Sequence, residues 1–321
     1  MRQYIIRRLL QMIPVLIGIS LVVFLIFSLA PGDAISGSMN PKLSAARKAE
    51  LRHQMHLDEP KYVQYGYWAK NVFTKGYFGE SFYYMKPVSK VMNDYIWNSF
   101  YLSLASFILS VLLAVPIGII SATKQYSGFD SFFTVFALIG ISMPSFFFGL
   151  LLIKWFAVDL HIFPVSGMHT PGAHYTGFKN FIDVMYHMLL PLIVLTLGSV
   201  ASLMRYTRSS MLEVIRQDYV RTARAKGLKE KVVIYKHALR NALIPVITIL
   251  GFSLPGLFSG AIMTETIFNW PGIGPIELQA VNGRDYYLLM GITMLLSLLT
   301  LLGNLIADIS YAIVDPRIRL K

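Results

Sequence analysis

Six stretches of this chain carry no charged side chain and are long enough to cross a bilayer: Leu9–Ala30, Ser99–Thr123, Phe132–Ile153, Met188–Met204, Asn241–Thr264 and Tyr286–Ala307. Hydrocarbon offers the backbone no hydrogen-bond partner, so about 18 or more apolar residues placed there close their own bonds as a helix. A membrane barrel needs alternating segments of about ten residues, and the sequence has none. The fourth stretch is the shortest, but Val184–Tyr186 extend it past His187. The first follows Arg2, Arg7 and Arg8 and ends in Ser28-Leu29-Ala30, features that a cleaved signal peptide shares. Its 22 residues exceed the roughly 7–15 of a cleaved apolar core, so an uncleaved first membrane helix is expected. The expected fold is an all-α integral membrane protein with six transmembrane helices.

Composition agrees with that placement. Only 14% of residues are charged, and mean hydropathy is +0.55. There is no cysteine, which removes disulfides, thiol catalysis and Cys-based zinc sites.

Six crossings put both termini on one side, and basic residues favour the inner side. With the termini inside, the inner segments hold Arg2, Arg7, Arg8, Lys124, ten basic residues between Arg205 and Arg240, and Arg317, Arg319 and Lys321, seventeen in all. The two short outer loops hold three, Lys154, Lys179 and Arg284. The net charge of +12 then faces anionic lipid or a cytoplasmic partner. No recognised nucleic-acid motif accompanies it, so no nucleic-acid partner is expected.

The chain divides into an N-terminal tail and first helix (1–30), an outer segment (31–98) and a six-helix core's remaining five spans (99–321), with an inner loop at about 205–240. The outer segment is too long for a simple connection. "APGDAISG" reads as a turn, and "NPKLSAARKAELRHQMHL" as a helix with Leu43, Leu51 and Met55 on one side. The aromatics that follow, Tyr62, Tyr65, Trp68 and Phe73, suit either a small folded subdomain or an aromatic belt at the interface.

Five of the six apolar stretches contain proline. Pro144 and Pro255 lie well inside theirs, where a proline removes a backbone bond and kinks the axis. Gly256 and Gly260 form a GxxxG spacing that permits close packing. Kinks bordered by hydroxyls also suit a path for polar solute. Ser142, Met143, Pro144, Ser145 and Ser253 are therefore expected along the translocation path, and Glu265 with them. Glu265, Lys154 and Asp308 all sit at the ends of apolar stretches, where contact with the interface or snorkelling is the simpler expectation.

Catalytic and nucleotide-binding patterns are missing. There is no GxxxxGK[ST], HExxH or GxSxG, and Gly272-Ile273-Gly274 is half a dinucleotide fingerprint with no βαβ unit. His53 and His56, and His169 and His174, read as solvated surface. No chain of acids resembles a proton relay. No cofactor or metal is expected in this chain.

The inner loop contains "RTARAKGLKEKVVIYKHALRN", Arg221 to Asn241, with seven Lys or Arg and one acid, Glu230. Leu212, Ile215, Tyr219 and Ala223 follow helical spacing, and after Gly227 so do Val232, Tyr235 and Leu239. The reading is helix, glycine turn, helix, either resting on anionic lipid or holding a partner.

This loop resembles the EAA loop of ABC-transporter permeases, whose pattern is Glu-Ala-Ala, three residues, Gly, nine residues, Ile-x-Leu-Pro. Arg221, Thr222 and Ala223 occupy the first three places, and Gly227 and Leu239 match at the right spacing. Arg221, His237 and Arg240 stand where the pattern has Glu, Ile and Pro, departures that are usual in the peptide-permease branch. "YIIRRLLQMIPVLIGIS", "LAPGD", "LDEPKYVQYGYW", "FGESF", "ETIFNWPGIGP" and "DPRIR" extend the resemblance over nearly the whole chain. They resemble the B-type permease subunit of oligopeptide, dipeptide and nickel importers. The resemblance implies a type I ABC importer permease fold with a small extracytoplasmic subdomain after the first helix, in a bacterial or archaeal cytoplasmic membrane with both termini inside. It implies a C-type permease partner, two ABC ATPases that bind ATP and Mg, and an extracytoplasmic solute-binding protein. It assigns Arg221, Thr222, Ala223, Arg224, Lys226, Gly227, Leu228 and Leu239 to ATPase coupling. Short peptides are the expected substrate, with nickel or another small solute as the alternative. An ATPase-independent channel or secondary transporter, or an intramembrane enzyme, would belong to another class.

Overall fold

A computed structural model describes residues 2–30, 49–50, 52–53 and 56–314. The turn expected from residue 31 and most of the helix expected over residues 40–57 lie outside the described residues. Five of the described helices are long and apolar enough to cross a membrane, and six spans result if one bent pair counts as a span.

Helix α1 (Arg2–Leu29) lies along the last helix, α12 (Tyr286–Val314). Near the start of α1, Tyr4 donates to Asp308 Oδ2 at 3.0 Å and the Arg8 guanidinium reaches the same oxygen at 3.1 Å. Asp308 is thus an interhelical ion-pair partner. A charge near lipid is stabilised by a counter-charge.

Outside the spans, α2 (Lys61–Lys75) lays Trp68 and Val72 against Val23 and Phe24 of α1 and Met290 and Met294 of α12. The Trp68 indole donates to the Phe78 carbonyl at 3.2 Å. Tyr62 and Phe73 remain exposed. The aromatic segment therefore has a packed face and an exposed one. A two-stranded antiparallel ladder follows, β1 (Glu80–Ser81) with β2 (Lys86–Pro87). Asp285, buried just before α12, accepts from the Ser81 hydroxyl at 2.6 Å and from the Tyr83 amide at 3.2 Å, fixing this ladder to α12.

Two long helices form the centre, α3 (Val88–Thr123) and α6 (Phe178–Ile215). Their middle turns pack with the next helix and with α9 through Ala114, Ala137, Ala201, Met204 and Val246. Small side chains suit this, because helices in lipid associate by close packing.

The third apolar stretch is two helices joined at a sharp break, where a kinked helix was expected. Helix α4 (Gly128–Ser142) and α5 (Ser145–Leu152), which continues as wide π turns over Ile153–Asp159, meet at 104°. The cause is local. Pro144 drives the residue before it out of the helical region, and Met143 is extended at φ −81°, ψ 124°. Near the start of α4, Arg208 of α6 makes a two-pronged pair with Asp130, at 2.7 and 2.8 Å.

The inner loop contains α7 (Asp218–Ala225) and α8 (Glu230–Val232), followed by wide π turns over Val233–Ala238. Helix α9 (Leu239–Ser253) ends before a 3₁₀ turn at Pro255–Phe258, so the fifth span stops short of the expected Thr264. Short helices α10 (Ile262–Ile267) and α11 (Ile273–Asn282) then lead to α12.

Candidate functional site

The basic loop is docked on the membrane helices by a defined apolar face. Val220 and Ala223 of α7 and Val233, Ile234 and Ala238 beyond α8 are buried together with Ile119 and Ala122 of α3, Met211 of α6 and Ala242 of α9. Leu239 packs against the same cluster. The second expected apolar face is corrected by this arrangement. Val232 and Tyr235 are exposed, and Val233, Ile234 and Ala238 face inward instead. A π turn holds more residues than the 3.6 of an α-turn, so it rotates the buried face away from the α-helical positions. In the first helix Tyr219 is also exposed, and its hydroxyl accepts from the Asn241 side chain at 2.9 Å.

The turn between the helices depends on Gly227. It sits at φ +73°, and its amide donates to the Arg224 carbonyl at 2.9 Å. L side chains are strained in that region, whereas glycine is not. Arg224 and Glu230 clamp the turn from either side, with Nη2 to Oε1 at 2.8 Å and Nε to Oε2 at 3.2 Å. That hydrogen bond raises the Arg224 guanidinium further above its ordinary value. Of the residues assigned to coupling, Ala223 and Leu239 anchor the loop to the membrane helices. Arg221, Thr222, Arg224, Lys226, Gly227 and Leu228 form the free rim.

A groove of about 550 Å³ opens between α3, α6 and α9. Ser103, Ser106 and Ser110 line it from α3, Ser199 and Ser202 from α6, and Ser253 from α9. Of the residues expected along the path, Ser253 lines this groove. Met143 and Ser145 line a smaller cavity of about 260 Å³ that shares Gly198 and Ser202 with the groove. Ser142 and Pro144 are exposed next to the break, outside both linings. Five of the six groove serines were not singled out from the sequence. A signal for them existed: Ser99, Ser103, Ser106 and Ser110 are spaced four, three and four apart, which aligns them on one face of a helix.

Glu265 is elsewhere. It is fully buried, so snorkelling does not describe it, and it lines neither cavity. Its two oxygens accept from the amides of Ala261 at 3.1 Å and Gly274 at 2.9 Å, and Ser99 bonds to the same carboxylate. Ser99 in turn accepts from the Ile273 amide at 2.8 Å. Trp270, also buried, donates to the Asn98 carbonyl at 3.1 Å, and the Asn98 side chain donates to the Pro271 carbonyl at 2.7 Å. A Cβ on Gly272 would collide with the Glu265 carboxylate and the Ser99 hydroxyl. The half dinucleotide fingerprint at Gly272–Gly274 is therefore part of a carboxylate knot that ties α10 and α11 to α3. Near the start of α6 the Asp183 carboxylate accepts from the Thr170 hydroxyl at 2.6 Å, with half-exposed His169 at 3.5 Å.

Comparison with known proteins covers both halves of the chain. Residues 114–320 match the family described as "Binding-protein-dependent transport system inner membrane component". Residues 1–102 match "Binding-prot-dependent transport system membrane comp, N-term". The oligopeptide transport system permease protein AppB of Bacillus subtilis (strain 168) is 44% identical over 319 residues, 99% of each chain. The dipeptide transport system permease protein DppB of Escherichia coli (strain K12) is 39% identical over 339 residues, covering 100% of both. Among solved structures, an inward-facing conformation of the MetNI methionine ABC transporter superposes with a TM-score of 0.53 at 16% identity, over 70% of this chain and 96% of that one. At that identity the likeness concerns the fold, a type I importer arrangement of membrane helices.

Proposed function

This chain belongs to the binding-protein-dependent transport system inner membrane component family, and from that premise we propose that it is the permease subunit of an ATP-driven importer of short peptides. Near-full-length likeness to oligopeptide and dipeptide permeases supports the substrate class. The observation that carries the coupling role is the docked helix–Gly227–helix loop with its free basic rim. In this reading the rim seats an ABC ATPase. A second permease of the C type pairs with this chain, and a solute-binding protein delivers peptide from outside. ATP and Mg belong to the two ATPases, and this chain contributes no catalytic group.

The packing supplies a mechanical route. ATPase closure displaces α7 and α8. Their buried face is continuous with the inner ends of α3, α6 and α9, which carry the groove. A packed core moves between discrete arrangements more readily than it deforms, so a shift at the rim becomes a shift of the helices that line the path.

Cells lacking the chain should lose uptake of labelled short peptides and keep uptake of nickel. Loss of nickel uptake with peptide uptake intact would replace the peptide reading with the metal one. The orientation is tested separately. Reporter fusions at Arg224 should report the cytoplasm and at His169 the outer face, because of the seventeen-to-three excess of basic residues in the inner segments. An external signal at Arg224 would reverse the topology.

A further inference from the structure

The importer reading leaves open what contacts the groove makes with its cargo. No Asp, Glu, Lys, Arg or His is among its lining residues, and six serines are. Three of those hydroxyls already give their proton to their own helix. Ser110 donates to the Phe107 carbonyl at 2.8 Å, Ser199 to Leu195 at 3.1 Å and Ser253 to Ile249 at 2.9 Å. A hydroxyl whose proton is held in this way presents lone pairs to the groove. Three of the six serines therefore face the groove as acceptors, beside the Tyr206 hydroxyl, and the wall is free of fixed charge.

The geometry points to a path that reads backbone N–H donors: these serines hold a peptide in transit through its amide N–H groups and terminal ammonium, without regard to its side chains. This rests on the peptide-importer reading and adds the chemistry of the contact. Peptides of any sequence share those donors. Each hydrogen bond replaces one to water, so each is weak in net terms. A row of weak sites with no ionic well lets cargo leave as readily as it enters. An acidic wall would trap the ammonium and a basic wall the carboxylate.

The test uses the assembled importer with its binding protein in proteoliposomes. Uptake of a labelled alanine tripeptide is compared with uptake of its backbone-N-methylated form. Both are measured in the wild type and in the triple variant Ser199→Ala, Ser202→Ala, Ser253→Ala. All three positions are exposed, and alanine is the better helix former, so folding is not at risk. The binding protein's own preference is common to both complexes and cancels in the ratio of ratios. The wild type should favour the N–H form, and the variant should lose about fivefold of that preference. An unchanged ratio, or a wild type that does not distinguish the two forms, overturns the inference and leaves the importer reading standing. A variant that no longer holds its partner subunits also overturns it, by making the groove an assembly surface. A wild-type complex that takes up no tripeptide overturns the importer reading itself, and the inference with it.

Discussion

Replacing Glu265 by alanine is expected to loosen α10 and α11 and abolish transport, although the residue lines neither cavity. Its side chain is fully buried and answers the Ala261 and Gly274 amides on different oxygens. Removing it leaves the buried Gly274 amide without an acceptor, at about 1–3 kcal/mol, frees the half-buried Ala261 amide as well, and opens a cavity besides. Glu265→Gln keeps one acceptor oxygen and should fall between the two. The measurement is apparent melting temperature of the purified complex in detergent, alongside peptide uptake. Wild-type values for the alanine variant would mean that the knot does not hold α10 and α11 in place.

Gly227→Val is expected to leave membrane insertion intact and to cut uptake sharply. A Cβ at Gly227 would meet nothing in this chain, so the damage comes from the backbone and from the surface offered to the ATPase. An L residue in left-handed geometry costs roughly 1–2 kcal/mol. A short, soft turn relieves that cost by changing shape, which re-aims the rim formed by Arg221, Arg224 and Lys226. Gly227→Asn tolerates positive φ and should retain much more activity than Val. The readouts are co-purification of the ATPase subunits and uptake of labelled peptide. Equal, normal values for Val and Gly would remove the turn from the coupling route and favour a loop that rests on lipid.

How much of this was legible in the sequence differs from residue to residue. The long uncharged stretches identified the membrane helices because length and polarity alone decide that question. Pro144 announced a disturbance and the extension of Met143 before it, but the 104° angle between α4 and α5 depends on how the two helices pack, which the sequence does not state. The helix–glycine–helix loop was legible from Gly227 and from the pattern it shares with permeases. Its inward face was not, because spacing assumes 3.6 residues per turn and Val233–Ala238 winds more widely. Glu265 stood at the end of an apolar stretch and read as an interface residue. Its acceptors' partners are main-chain amides brought close by Gly272 and Gly274, and backbone partners leave no mark in a sequence. The serine stripe of α3 was visible as spacing, yet each serine is unremarkable alone inside an apolar helix.

The break between α4 and α5 bears on how many copies a cell can keep. Pro144 precedes α5 without a side-chain cap, so the first amides of α5 have no partner within their helix. Helical rise puts them about 22 Å along α4, and amides that lie in hydrocarbon find no acceptor there. Water in an assembled pore or a neighbouring chain can. A copy without its partners is expected to leave those amides with fewer acceptors, and so to persist less long in the membrane. Subunit balance then need not be set by synthesis alone: degradation of surplus copies trims the pool until it matches the partners available.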